Sequence, residues 1–180
     1  MYTFNQDGDR FVVSIDNHQE LMGAIAAFCQ EQGILAGEGS GIGAVKNATL
    51  RFLNPATKHY VDKTFDEQME ISSLVGNISE KDGKVYLHLH ANFGRADYTV
   101  VGGHLLTATI NGACEVFIRR YNCKVGRHFD EETGLNLYQS RLAGELVVGE
   151  RQARAWAIDA GQINRQRITG WRESTSSTAR

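Results

Sequence analysis

His88 and His90 stand two residues apart in the stretch KVYLHLHANF, Lys84 to Phe93, while Val85, Leu87 and Leu89 fill the alternate positions. In an extended strand alternate side chains share a face and lie about 6.6–6.8 Å apart, so both imidazoles project to one side and can lean toward a common point. Two ring nitrogens placed in this way can hold one ion at nitrogen–metal distances of about 2.0–2.1 Å. A third imidazole is available at His104, which follows Gly102 and Gly103 at the start of the next long apolar run. If those two strands lie side by side, three neutral nitrogens with a fourth position open describe a site for a divalent metal, zinc or a similar first-row ion. There a bound water is activated or a substrate oxygen polarised. The competing reading is a polar pocket whose histidines satisfy one another through hydrogen bonds or water.

Further groups could complete such a pocket. Glu67 and Glu70 fall on the segment expected to pair with the histidine strand. Glu70 is the candidate for moving a proton or for a fourth ligand, set against the ordinary solvated role of a surface glutamate. Arg51, Arg95, Arg119 and Arg120 are candidate anion partners, and His18, His59 and His128, without such company, read as surface residues. Serine-hydrolase chemistry is excluded because Ser40 in GEGSGIG has Glu38 and Ile42 where a nucleophile elbow needs glycines. The same glycine-rich run, GILAGEGSGIGAV, leaves a helix and enters a strand, the reverse of a phosphate-binding turn, and it lacks the GK[ST] ending. It is expected to be flexible or tightly turning backbone that needs glycine for its dihedrals.

The elements that must position these residues follow from periodicity. Residues 10–15 read as a first strand, and Asp16 or Asn17 can cap a helix whose stripe is Leu21, Met22, Ile25, Phe28 and Cys29, ended by Gly33. Residues 44–53 and 58–62 flank NPAT, a turn holding the single proline, and predict a hairpin. Residues 65–78 lead through a turn at Asp82-Gly83 into 84–91, a second hairpin. Strands at 98–101 and 104–118 follow, the second bent at Asn111-Gly112. One principal N-terminal helix with many adjacent antiparallel strands makes the fold class α+β, in a single domain over 1–140 with a C-terminal extension at 141–180.

Bulk properties narrow the function classes. A chain of 180 residues, 42% hydrophobic and 22% charged, can bury one sizeable core. Cys29, Cys114 and Cys123 are odd in number and never spaced CxxC, which argues against a disulfide framework or thiolate metal site and for three buried thiols. No apolar run is long enough to span a membrane, and MYTFNQDGDR lacks the basic and apolar blocks of a signal peptide, so no membrane contact and a cytoplasmic location are expected. Residues 1–140 carry 12 Lys and Arg against 17 Asp and Glu, while 141–180 carry 7 against 4. An acidic body is a poor match to the phosphate backbone, so any nucleic-acid contact would lean on the tail.

In order along the chain, ATLRFLNPATKHYVDK, FDEQMEISSLVGNISEKDGKVYLHLHANF, VVGGHLLTATINGACEVFI and FDEETGLNL are similar to the PPC domain, the plant and prokaryote conserved domain. The resemblance covers about residues 8–138 and rests on SLVGNI, DGK, HLH, GGHL and TGLNL occurring together. It implies a mainly antiparallel domain assembled as a homotrimer, with His88, His90 and His104 near a subunit boundary. Bacterial members often carry a provisional DNA-binding label. The fold also resembles that of acetolactate decarboxylase, a zinc enzyme with an HxH pair and a later histidine, although fold similarity does not transfer activity. Plant members usually carry an AT-hook, an Arg-Gly-Arg-Pro core that enters the minor groove, and this chain has none: its one proline is Pro55.

Two readings follow. The first is a homotrimeric PPC-domain protein of regulatory or DNA-associated type, with DNA or a protein as partner and a divalent metal on the three histidines. The second is a metal-dependent, lyase-like enzyme on a small keto or hydroxy acid, in which the ion polarises a carbonyl and Glu70 moves protons.

Overall fold

The computed structural model describes residues 1–139, so the expected 141–180 extension lies outside the described residues. In chain order the elements are β1 (Tyr2–Asp7), β2 (Arg10–Ile15), α1 (Leu21–Glu31), β3 (Gly37–Asn54), β4 (His59–Phe65), β5 (Met69–Lys81), β6 (Lys84–Gly94), β7 (Val100–Arg120), β8 (Gly126–Asp130) and β9 (Leu135–Gln139). The class is α+β, with one helix and an almost wholly antiparallel sheet among the described residues. The single parallel contact is one bridge, Glu80 to Gly126, between β5 and β8.

The sheet runs β1-β2-β7-β3-β5-β8-β9. β6 pairs with both β5 and β7, and β3 also pairs with both, so these four strands close on themselves. Alternation then decides what faces inward. Leu89, Ala91 and Phe93 of β6 are at most 2% exposed and join Ile71 and Leu74 of β5 and Leu105, Ala108 and Ile110 of β7 in one core. α1 covers that core with Leu21, Ile25, Phe28 and Cys29. Burying each large side chain of this kind contributes about 1.5–3 kcal/mol.

Several expectations are corrected. The helix is capped by Glu20, whose carboxylate accepts from the backbone N–H of Met22 (3.0 Å) and Gly23 (2.6 Å), because Asp16 is engaged by the N-terminal amine and Asn17 by the His18 and Gly112 N–H groups. β1 precedes the expected first strand; its FNQD stretch is mostly exposed and gives little apolar signal, yet Tyr2 and Phe4 pack their rings on Phe28 at 5.5 and 5.2 Å. Only the start of the glycine-rich run turns, with Gly33 at φ 63°; from Gly37 on it is the first half of β3. Its glycines are needed for proximity: a Cβ at Gly37, Gly41 or Gly43 would lie 2.4–2.7 Å from a carbonyl oxygen of β7. Residues 100–120 form one strand where two were expected, with the irregular pairing at 110–114 falling where Asn111-Gly112 predicts a bend. Cys29 and Cys114 are buried, but Cys123, in the connection after β7, is exposed.

Both hairpins form as expected, β3–β4 across the NPAT turn and β5–β6 across Asp82-Gly83. In the latter turn both central residues have positive φ, 53° and 76°, the geometry that matches the twist of the flanking strands. The turn sets which residue of β5 faces which residue of β6, and so fixes the neighbours of the histidines.

Candidate metal centre

His88 and His90 project from β6 on the side opposite Leu89 and Ala91, outside the closed strands. β6 pairs antiparallel with β7 so that His90 faces His104 directly, and β7 pairs with β3 so that His104 faces Arg51. Residues opposed in this way have Cβ atoms about 4.5–5.5 Å apart on one face. A single cross-strand row therefore reads Asp62, Arg51, His104, His90 and Val75 over β4, β3, β7, β6 and β5. His88 lies one step along the same face, opposite Asn77. Gly102 sits within this approach, since a Cβ there would meet Asn92 Oδ1 at 2.1 Å.

The three imidazoles form a triangle. Ring centroids are 5.3 Å apart for His88 and His90, 5.0 Å for His88 and His104, and 5.4 Å for His90 and His104. One ligand nitrogen from each ring lies within 4.8 Å of the others, and the Nε2 atoms of His88 and His90 are 3.3 Å apart. Two nitrogens on one tetrahedral ion, each about 2.0–2.1 Å from it, stand roughly 3.3–3.4 Å from each other. The His88–His90 pair already has that separation. A His104 nitrogen lies within 4.8 Å of both, so the donor set of three imidazoles fits a divalent ion.

Neutrality is favoured locally. Burial, then the charges that His88 and His90 would carry and that of Arg51, push the His104 imidazole down from 6.5 to about 4. His88 is lowered as well, by burial first and then by His90 and Arg127. A histidine whose folded value lies below its unfolded value leaves the unfolded chain holding more protons between the two, so stability is lost as pH falls through that window. The metal-free protein is expected to melt at lower temperature as pH drops from about 6.5 toward 4. Thermal scans across that range check this, and His104→Asn should flatten part of the slope between pH 6.5 and about 4.

The cluster lines a cleft of about 360 Å³ with Arg51, Tyr60, Tyr86, Arg127 and the β9 residues Leu135 to Leu137. Arg51 is tied to Asp62 by two hydrogen bonds, Nε to Oδ1 at 3.0 Å and Nη2 to Oδ2 at 2.9 Å, and its guanidinium lies 4.7 Å over Tyr60. That pair holds the Asp62 carboxyl below its ordinary value. Arg127 of β8 packs against the rings of Tyr86 and Tyr138, at 4.7 and 4.3 Å.

Other candidates lie elsewhere. Glu70 pairs with Gly94, five residues along β5 from Val75 and so roughly 17 Å from the histidine row. It is not brought to the cluster. Glu67 binds Arg95 at 3.0 Å, Arg119 pairs with Asp9 at 3.4 Å, and Arg120 lies over Phe11. His18, His59 and His128 are exposed and isolated, as expected. Sequence reasoning missed Arg127, Tyr60, Tyr86 and Asn136. The available signal was TGLNL, whose Leu135, Asn136 and Leu137 line the cleft.

Beyond Val75 the cross-strand row continues through Ser40 and Phe117 to Val12. Val12, Phe117, Val75 and the nearby Ile42 are 45–55% exposed and make an apolar patch beside a second cavity of about 690 Å³. No helix among the described residues is long and apolar enough to cross a membrane.

Comparison with known proteins agrees with this architecture. The family described as Plants and Prokaryotes Conserved (PCC) domain matches residues 2–122. No curated protein matches the chain. Among solved structures, a "putative dna binding protein" from Bacteroides thetaiotaomicron is 51% identical, with 77% of this chain and 96% of that one covered and a TM-score of 0.75. A "metal-containing protein" from Archaeoglobus fulgidus is 39% identical over 78% and 99% of the two chains, with a TM-score of 0.70. A plant- and prokaryote-conserved (PPC) protein from Pyrococcus horikoshii is 27% identical over 79% and 96%, with a TM-score of 0.69.

Proposed function

Because this chain belongs to the Plants and Prokaryotes Conserved (PCC) domain family, we propose that it is a metal-binding assembly module of regulatory or DNA-associated type, a cytoplasmic homotrimer holding one divalent ion per chain on His88, His90 and His104. The observation that carries this reading is the convergence of three imidazoles, with ligand nitrogens within 4.8 Å, on the wall of an open cleft. Imidazole donors in a set of three with an open position suit zinc, and the metal-containing relative from Archaeoglobus fulgidus supports the presence of an ion. When bound, such an ion polarises an oxygen ligand or lowers the pKa of a bound water.

The trimer is supported by the exposed apolar patch of Val12, Ile42, Val75 and Phe117, which a different face of the next subunit in a ring would bury, and which ends at Val75 beside His90. DNA association is supported by the name of the Bacteroides relative and opposed by the excess of acidic residues over 1–140. The second reading, a lyase acting on a small keto or hydroxy acid, is favoured by the cleft in front of the histidines. In that case the Glu70 of the same chain, which lies along β5 away from the histidines, is not placed to move the proton.

Two measurements on one sample separate these parts. Sedimentation should give three times the 19.9 kDa chain mass, and a monomer removes the assembly reading. Titration of the same sample with a mixed duplex over several salt concentrations should show binding that weakens with salt. No binding even at low salt removes the DNA role and leaves the metal-dependent one.

A further inference from the structure

From the geometry of the histidine cleft we infer that its ligand is a small carboxylate, held at one end by Arg127 and reaching the metal position with its other end. The inference rests on the metal-site reading and extends it to a class of ligand.

Arg127 is the unusual group of the cleft. Its Nε donates to Ser79 Oγ at 2.7 Å, Nη1 to the Asn136 carbonyl at 2.7 Å, and Nη2 to Asn77 Oδ1 at 2.7 Å. Every one of these acceptors is neutral. Among the described residues no carboxylate lies within ion-pair distance of it, whereas Arg51, across the same cleft, has Asp62 as a bidentate partner. A guanidinium carries five N–H groups, so one on each Nη remains available. The cation is also held still: the rings of Tyr86 and Tyr138 pack against it at 4.7 and 4.3 Å, and the three hydrogen bonds fix its plane. A half-buried charge that is fixed but not neutralised is complementary to an anion, and the planar fork suits a carboxylate.

Its place relative to the histidines sets the size of that anion. Asn77, which accepts from Arg127, is the cross-strand neighbour of His88, and Tyr86, which stacks on Arg127, precedes His88 by two residues on the same face of β6. The guanidinium thus stands one side chain away from a metal-ligating position, within a cleft of about 360 Å³. A small carboxylate with an oxygen on the adjacent carbon is of a size to lie in such a cleft between the two positions.

Glycolate and its neutral analogue glycolamide are suitable probes. Titrated calorimetrically into the zinc-loaded full-length protein, glycolate should bind at least about tenfold more tightly than glycolamide. Arg127→Gln, which keeps hydrogen-bonding capacity and removes the charge, should abolish that preference with zinc content unchanged, and Arg127→Lys should retain part of it. Equal binding of the two probes by the native protein, or an unchanged preference in Arg127→Gln, would overturn the inference while leaving the metal reading intact. Failure of the protein to take up zinc, measured on the same samples, would remove both. If Arg127→Gln does not fold, Arg127→Lys carries the comparison, and a glycolate preference undiminished there would overturn the inference.

Discussion

Replacing His90 by alanine should abolish zinc binding while leaving the protein folded. His90 is exposed, so its truncation opens no cavity in the core, and the stability change should stay within about 0.5 kcal/mol. The effect on zinc is expected to be far larger. His90 stands directly opposite His104 and 3.3 Å, nitrogen to nitrogen, from His88, and without it only two imidazoles remain. Loss of a residue that merely orients a ligand costs about 10–100-fold in metal affinity, and loss of the ligand itself should exceed that. Competition against a chromophoric chelator measures the change, with the exposed and isolated His128→Ala as the variant expected to bind normally. Native-like affinity in His90→Ala would mean that the three rings form only a hydrogen-bonded polar cluster.

Gly76→Ala should damage the fold and the site together. Gly76 of β5 faces Leu89 of β6, and a Cβ there would stand 2.1 Å from the His88 carbonyl oxygen and 2.8 Å from Leu89 Cα. Both are backbone atoms, so no rotamer change relieves the clash and β6 must shift. Overpacking commonly costs 1–3 kcal/mol, and a forced backbone displacement in a closed set of strands belongs at or above the upper end, about 3 kcal/mol. For a chain of this size that corresponds to a fall in melting temperature of roughly 6–12 °C. Because the displaced segment begins at His88, zinc affinity should fall as well, although no ligand has been altered. Unchanged urea midpoint and metal affinity in this variant would contradict the tight β5–β6 approach on which the histidine geometry rests.

The difference between what could and could not be read from the chain follows from the range of each signal. The outward placement of His88 and His90 was legible because strand alternation is local: Leu87 and Leu89 must go inward, so the imidazoles cannot. His104 was reachable by a weaker step, the guess that the strand after the paired glycines lies next to the histidine strand, and the observed pairing of His90 with His104 supplies it. Arg127 left no such trace. Its partners Asn77 and Ser79 are about fifty residues earlier and meet it only because β8 attaches to β5 through one parallel bridge. The glycine-rich run misled for a different reason. Glycine signals either unusual dihedrals or close approach, and composition does not distinguish them; at Gly37, Gly41 and Gly43 the cause is a neighbouring carbonyl. Glu70 misled because hairpin partnership was known but register was not, and five residues of strand separate neighbours from strangers.

Metal analysis of full-length protein purified without an affinity step bears most directly on the convergence of His88, His90 and His104. About one zinc per chain is expected, falling to nearly none in His90→Ala. A preparation that contains no divalent metal and takes up none when titrated with zinc at neutral pH would contradict it.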